Sequence, residues 1–262
     1  MFSKGLSSSR GCLAAAALVA VACVGLASTA AHASVVYQTD FTPTTGTGEL
    51  NGAGLTTDNG SSSTWTASSV WTDGGYSNAT ANPRQNAYLL FTPVNGQIYT
   101  LSAGLDSTSA AGNGNDWVAL GFTPTPTLST GYDASGTSGA SPWVLQGQSG
   151  NGTYFTGPGT ASGANFVSNV GVADVSIVLN TGTPLWSYQV YLTNSSVTNE
   201  LVGHGSFTTN PAITAVGLEN GGGTAQVSNF SLTSSPVPEP ATLGLVAVGG
   251  LGLLLLKRRK AV

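Results

Sequence analysis

The chain is short of positive charge, thiols and histidine once its two ends are set aside. It has seven Lys and Arg residues in 262, and Arg84 is the single basic residue between positions 34 and 235. Both cysteines, Cys12 and Cys23, precede that region, and His204 is its single histidine. Nucleic-acid binding needs clustered Lys and Arg, so this composition excludes it. It also excludes a typical zinc or copper site, Schiff-base lysine chemistry and disulfide formation in residues 34–235.

Negative charge dominates the same region. The whole chain has a formal net charge of -4, but most of its cations lie in the terminal segments. Residues 34–235 therefore carry a formal charge of -9. The acidic residues responsible are Asp40, Glu49, Asp58, Asp73, Asp106, Asp116, Asp133, Asp174, Glu200 and Glu219.

The C-terminal segment has three parts. Val237-Pro238-Glu239-Pro240 is followed by an uncharged run from Ala241 to Leu256 and then by Lys257-Arg258-Arg259-Lys260. The two prolines favour an extended tetrapeptide, and Pro240 is suited to open a helix. The apolar run is slightly shorter than the roughly 20 residues that comfortably cross a bilayer, and the basic tail is expected to stay cytoplasmic. We expect a transmembrane helix here, with the body of the protein outside.

The order of these parts, over residues 236–262, resembles the PEP-CTERM sorting signal of bacterial envelope proteins. The resemblance implies recognition by a membrane protease-transpeptidase of the exosortase type. That enzyme would remove the helix and release or re-attach the body. The alternative is a plain single-pass anchor behind a proline-rich stalk, since a span needs only length and flanking charge.

The N-terminus has the features of a secretory signal peptide. Lys4 and Arg10 precede an apolar stretch from Cys12 to Leu26, and Ala31-His32-Ala33 forms an A-x-A site before Ser34. Signal peptidase is therefore an expected partner, with cleavage after Ala33. A lipoprotein site at Cys23 is disfavoured, because that cysteine lies inside the apolar run. The predicted organisation is a signal peptide at 1–33, a body at 34–235 and a sorting segment at 236–262.

The body has the pattern of an all-β domain. Apolar residues recur with period two in short runs separated by Gly, Asn, Ser, Thr and Pro, and no amphipathic helix stands out. Many short strands with long polar loops favour an antiparallel β-sandwich. The clearest alternation lies at 99–105, 175–179 and 186–192; further predicted strands are 35–41, 69–72, 86–91, 117–122, 143–147, 201–207, 213–218 and 225–232.

Four stretches of the body resemble concanavalin-like jelly-roll domains. They are Val36-Tyr37-Gln38-Thr39-Asp40-Phe41, the central segments 96–103 and 116–122, and Val227-Ser228-Asn229-Phe230-Ser231-Leu232. The resemblance implies that the first and last strands pair. It implies no single function, because this fold carries lectins, hydrolases and inert structural modules.

Catalytic patterns are missing. A glycosidase needs two carboxylates about 5–10 Å apart, and no strand presents two acids at alternate positions. Asp106 and Asp116 flank a loop instead. No G-x-S-x-G elbow occurs near or away from His204. The sequence predicts that the protein is not an enzyme; a glycoside-active enzyme remains the remote alternative, which would require distant acids to converge.

A glycine-flexible loop offers candidate calcium ligands. Gly112-Asn113-Gly114-Asn115-Asp116 clusters amide and carboxylate oxygens, and extracellular Ca²⁺ binds such sets weakly. The spacing does not match an EF-hand. The competing interpretation is that Gly and Asn permit the positive φ values of a long turn. No other cofactor is expected.

Five tryptophans raise the question of carbohydrate stacking. Trp65, Trp71 and Trp143 are bordered by Ser, Thr, Gly and Pro, so we expect these three to be the surface candidates for sugar contact. Trp117 and Trp186 lie in apolar alternation and are predicted to be buried.

Taken together, these patterns predict an exported protein of the cell envelope or its exopolysaccharide matrix. Its predicted role is structural or interactive, with no catalysis. The alternative is a lectin-like, carbohydrate-binding module at the cell surface. The expected partners are the two processing enzymes, the membrane through the C-terminal helix, and polysaccharide.

Overall fold

The computed structural model describes residues 32–41, 48–58, 63–78, 85–107, 117–124, 126, 128, 142–147, 151–155, 165–167 and 172–238. Ala33–Val237 form one compact unit, called the body below, and the terminal residues Met1–His32 and Pro238–Val262 form another. Among the described residues no helix is long and apolar enough to span a membrane. Residues 1–31 of the predicted signal peptide and the predicted helix at 241–256 lie outside the described residues.

Strands make up the regular structure of the described residues, which contain no α-helix. In chain order they are β1 Ser34–Thr39, β2 Thr57–Asp58, β3 Thr66–Ala67, β4 Tyr76–Asn78, β5 Gln85–Leu90, β6 Gln97–Asp106, β7 Trp117–Thr123, β8 Trp143–Gly147, β9 Asn151–Phe155, β10 Asn165–Val167, β11 Val172–Asn180, β12 Ser187–Thr193, β13 Glu200–Ser206, β14 Ala215–Asn220 and β15 Thr224–Pro236.

The strands form two antiparallel sheets. The larger has the order β13-β12-β11-β6-β15-β1-β2, with β4 also paired to β15, and the smaller has the order β10-β9-β8-β7-β14-β5-β3. β1 and β15 pair antiparallel, with Ser34 opposite Ser234 and Thr39 opposite Phe230. The predicted pairing of first and last strands is therefore confirmed, as is the all-β, antiparallel architecture.

Period-two alternation places one row of each strand in the core. Along β6, Leu101, Ala103 and Leu105 are buried, whereas Thr100 and Ser102 are partly exposed. β11 and β12 repeat the pattern, so the strongest strand predictions from sequence are confirmed. The predicted strand at 69–72 is wrong, because Ser69 and Val70 form a turn closed by a 3.1 Å hydrogen bond from Trp71 N to Ser68 O.

The core lies between the two sheets. Aromatic rings join them: Phe91, which follows β5, meets Tyr99 of β6 edge-on with centroids 5.0 Å apart. Trp65 meets Phe230 of β15 in the same geometry at 4.9 Å. The hydroxyl of Tyr37 in β1 also donates to the carbonyl of Leu90 in β5 at 2.7 Å. Apolar packing and a few specific hydrogen bonds therefore fix the sandwich.

Strand direction defines two ends of the body. The exit end carries residues 91–96, 181–186 and 207–214, together with Ser34 at the start of β1 and Val237 after β15. The opposite end, called the far end below, carries residues 194–199 and 221–223. Both ends of the body's chain thus lie at the exit end.

Candidate functional site

The predicted sorting motif begins where the last strand ends. In β15, Ser235 pairs with Ile98 and Pro236 pairs with Gln97 of β6. The backbone N–H of Val237 then donates to the carbonyl of Gly96 at 3.0 Å. No flexible spacer separates the sandwich from Pro238. Glu239 and Pro240 lie outside the described residues, as do Lys257, Arg258, Arg259 and Lys260.

The loops around Val237 hold it closely. An ideal Cβ built on Gly182 would lie only 2.6 Å from a methyl group of Val237, so a side chain at position 182 would collide with it. The Thr181 hydroxyl accepts from Gln97 N at 3.0 Å and lies 2.8 Å from the Val94 carbonyl. The first residue of the motif is thus packed into the body before the chain leaves it.

Polar side chains tie the loops of the exit end together. The Trp186 indole N–H donates to Asn95 Oδ1 at 3.2 Å, and its backbone N–H donates to Asn210 Oδ1 at 2.7 Å. Asn210 in turn donates through Nδ2 to the Pro184 carbonyl at 2.7 Å. Three loops far apart in sequence are therefore linked by neutral hydrogen bonds, each worth about 1 kcal/mol.

The predicted signal cleavage site lies beside this exit. Ser34 is the first residue of β1, and His32 and Ala33 are exposed. Ala31 lies outside the described residues. Cleavage after Ala33 would leave β1 complete; the cleavage itself stays a prediction.

The three tryptophans predicted at the surface are buried. The exposed fractions of Trp65, Trp71 and Trp143 are 1%, 0% and 3%. The Trp65 indole N–H donates to Thr39 Oγ1 at 3.2 Å, and that of Trp71 donates to the Gln85 carbonyl at 3.0 Å. The expectation that they are exposed sugar platforms is wrong, because Trp65 and Trp71 lie in the main core between the sheets and Trp143 is covered within a separate small cluster.

The remaining two tryptophans differ in burial. Trp186 is buried, as predicted, at the exit end. Trp117 is only partly buried and packs with Trp143, Ala119 and Leu145 in a small cluster separate from the main core. Since Val118 next to it joins the main core, Trp117 lies on the opposite face of the smaller sheet. Its prediction as a core residue is wrong.

That opposite face, called the outer face below, combines aromatic, amide and carboxylate groups. Glu219 of β14 pairs with Asn86 of β5 on one side and with Ala119 of β7 on the other. The next set of paired residues on the same face runs across β5, β14, β7 and β8. It consists of Tyr88, Gly217, Gly121 and Trp143. Glu219 and Asn86 are both buried. A buried carboxylate beside an amide and two aromatic residues is the most chemically distinctive group in the described part of the smaller sheet.

Sequence reasoning missed this group. The predicted strand at 213–218 stopped one residue before Glu219, which was counted only as a contributor to net charge. The signal that could have found it is its place directly after the apolar run Val216-Gly217-Leu218, where period-two alternation continues through it.

The predicted calcium ligands and catalytic patterns find no counterpart in the described residues. Asn113, Asn115 and Asp116 lie outside them, and no group of three or more His, Cys, Asp or Glu capable of holding a metal occurs within them. His204 is exposed on β13 and borders a shallow depression of about 340 Å³ on the larger sheet, together with Gln189 and Asn180. Neither acid-acid nor Ser-His-acid geometry is present there.

The C-terminal segment matches a known sorting motif. Residues 236–260 match the PEP-CTERM protein-sorting motif, in agreement with the resemblance drawn from residues 236–262. The chain carries a PEP-CTERM sorting signal. Such a signal implies an exported protein that is anchored in the membrane and then processed. No protein of curated function matches the chain in sequence.

Several solved structures resemble the chain distantly. The carbohydrate recognition domain of Emp47p has 11% identity and a TM-score of 0.49 over 79% of this chain and 97% of its own. Lectin II from Ulex europaeus has 16% identity and a TM-score of 0.44 over 67% and 94%. The Ca²⁺/Man3GlcNAc-bound domain of VIP36 has 11% identity and a TM-score of 0.43 over 67% and 86%. These neighbours are legume-lectin-like jelly-roll domains, and no functional role of this chain follows from such distant likeness.

Proposed function

We propose that the protein is exported, held briefly in the inner membrane by its sorting signal, and delivered to the cell envelope or exopolysaccharide matrix by an exosortase-type enzyme. The body then serves as a structural or interaction module. The observation that carries this proposal is the junction at Val237, where the last strand passes directly into the sorting signal. The cytoplasmic basic tail and the removal of residues beyond the Pro-Glu-Pro segment belong to the same proposal.

The test is the intact mass of the mature protein in a host with the cognate exosortase. We expect a body that begins at Ser34 and lacks the residues beyond the region of Pro238-Glu239-Pro240. Glu239→Ala keeps both prolines and the apolar run, so it should accumulate the unprocessed form if the carboxylate is recognised. A dominant species from Ser34 to Val262 would instead favour a plain membrane anchor. Glu200→Ala, which changes an exposed acid of β13, is the matched control.

We also propose that the body has no catalytic activity. The exposed His204 has no acid partner at hydrogen-bond distance among the described residues, and the strands there present no two acids at alternate positions. Hydrolysis of envelope polysaccharide by the purified protein would contradict this. Loss of that hydrolysis in Glu219→Gln would then identify the outer face as its source.

Carbohydrate binding is the second candidate function. The outer face supports it, because its two partly exposed aromatic residues, Tyr88 and Trp117, lie on the same face as the buried Glu219 and Asn86. Sugars are bound by aromatic stacking together with amide and carboxylate hydrogen bonds. Trp65, Trp71 and Trp143 have no part in this proposal, since all three side chains are buried.

Retention on the host's exopolysaccharide separates the two functions. Binding that falls in Tyr88→Ala and Trp117→Ala without a fall in melting temperature, and stays unchanged in Glu200→Gln, would support the carbohydrate-binding module. Loss of binding in the presence of a chelator would show that binding depends on Ca²⁺, and would support the candidate ligands Asn113, Asn115 and Asp116. If the intact protein is not retained with or without Ca²⁺, carbohydrate binding is contradicted and the proposal of sorting to the envelope stands by itself.

A further inference from the structure

Charge is distributed unevenly between the two ends of the body. Residues 91–96, 181–186 and 207–214 of the exit end contain no Asp, Glu, Lys or Arg. Three acids of the described strands lie at the far end, since Asp106 closes β6, Asp174 lies near the start of β11, and Glu200 opens β13; Asp58 of β2 lies opposite Tyr37, midway along β1. In the described part of the body, the exit end is therefore neutral and the far end acidic.

Exposed apolar side chains have the reverse distribution. The three most exposed large hydrophobic residues are Leu90 at 66%, Val94 at 64% and Leu185 at 51%. Leu90 ends β5, whereas Val94 and Leu185 lie in the loops that hold Val237. Single exposed apolar residues are ordinary, but these three share one neutral end.

The length of chain beyond Val237 places this end close to a membrane. Four residues lead from Val237 to Ala241, and fully extended they reach at most about 14 Å. The headgroup layer on each side of a bilayer is on the order of 5–8 Å thick. If the run from Ala241 to Leu256 is inserted in the hydrocarbon, Val237 lies no more than about 9 Å outside the headgroup layer.

From this placement we propose that the exit end is a membrane-contacting surface, with Val94 and Leu185 resting in the phospholipid headgroup layer for as long as the chain is anchored. The proposal rests on the sorting function given above. Anionic lipid headgroups repel acidic groups over roughly a Debye length, about 8 Å at physiological salt, which favours an orientation with the acidic far end away from the bilayer. The described residues of the exit end carry no acid that would oppose burial of their apolar side chains.

The experiment uses the mature chain, residues 34–262, which contains no cysteine, reconstituted in vesicles of phosphatidylcholine and phosphatidylglycerol. A fluorescent probe is attached at Leu185→Cys, and Val94→Cys provides a second probe position if the first variant unfolds. Leu201→Cys is the matched control, because Leu201 is also exposed, at 45%, but lies at the far end. Thermal melting establishes that each labelled variant is folded.

We expect doxyl-labelled lipids to quench the probe at position 185 and to leave the probe at position 201 bright. A chain that floats with the vesicles while both probes stay bright would overturn the membrane-contacting surface and leave the sorting function intact. A probe at 185 that changes only when exosortase is added would show a protein partner and overturn the lipid proposal. A chain that does not float with vesicles would overturn the anchor and this proposal together.

Discussion

Two tryptophan side chains combine full burial with a partnered indole N–H. Trp65 lies against Phe41 and Phe230, with ring centroids 5.7 Å and 4.9 Å away, and donates to Thr39. Trp71 donates to the backbone of Gln85. Each ring therefore contributes apolar burial without leaving a buried donor unsatisfied.

Truncation of these rings should destabilise the body strongly. We expect Trp65→Ala and Trp71→Ala to lower the free energy of unfolding by about 3–5 kcal/mol, because each would leave a large cavity. The measurement is urea unfolding followed by circular dichroism. Leu201→Ala, at an exposed position, is the control and should change stability little. Unchanged stability in both tryptophan variants would show that these rings do not belong to the core.

Gly182 and Val237 are coupled through a single close approach. Gly182→Ala should destabilise the body by about 1–3 kcal/mol through overpacking against Val237, and Val237→Ala in the same chain should restore most of the loss. A double-mutant cycle on the melting temperature measures this coupling. Additive effects of the two changes would mean that the residues do not contact each other.

The residue-level prediction from sequence was weakest for tryptophan, for a physical reason. Ring burial depends on which strands face the ring across the sandwich, whereas the sequence shows only covalent neighbours. Trp65 and Trp71 have polar neighbours yet lie beneath β15 and β5, and Trp117 has apolar neighbours yet faces outward. Glu219 was missed because a buried carboxylate contradicts the usual rule that acids lie at the surface.

At the scale of elements, β15 connects the fold to its function. It is the longest strand, with 13 residues, and it lies between β1 and β6 near the middle of the larger sheet. Its last residues pair with Gln97 and Ile98, directly before the sorting signal. Processing beyond Val237 would therefore leave the sheet complete.

Removal of the end of β15 should destabilise the body, whereas removal of the residues beyond Val237 should not. We expect a body of residues 34–237 to unfold cooperatively, and a body of residues 34–232 to be clearly less stable, by several backbone hydrogen bonds at about 1 kcal/mol each. Differential scanning calorimetry compares the two. Equal melting temperatures would contradict the structural role of residues 233–237.

Strands with strict alternation could be predicted from sequence, and very short ones could not. β6, β11 and β12 each have one partly exposed face and one buried face, so polar and apolar residues alternate along their sequence. β2, β3 and β4 contain two or three residues, too few to show a period, and they exist only because a longer strand lies beside them. β7 and β14 are buried on both faces, and this conceals alternation.

For the whole molecule, the excess of negative charge opposes the compact state. Residues 34–235 contain ten acids and one arginine, so their mutual repulsion is not balanced by ion pairs. Asp106, Asp174 and Glu200 lie at the far end, which concentrates part of that repulsion there.

Salt should therefore raise the melting temperature of the body. Ions screen repulsion over roughly 8 Å at physiological strength, and the folded state gains more from this than the expanded chain. Scanning calorimetry in increasing NaCl measures the slope, and the double variant Glu200→Gln, Asp73→Asn should show a smaller one. Reducing agents should have no effect on a body without cysteine. A melting temperature that falls with moderate salt would contradict the repulsion.

The central place of β15 also dictates an order of events during export. A chain that emerges from its N-terminus presents β1 first and β15 last, yet β1 and β6 are held side by side only through β15. The larger sheet cannot close until residue 236 has crossed the membrane, and the next residues to arrive are the sorting signal itself. Such pairing of distant segments is slow to form. The last steps of folding therefore take place on a chain whose sorting signal has already reached the membrane.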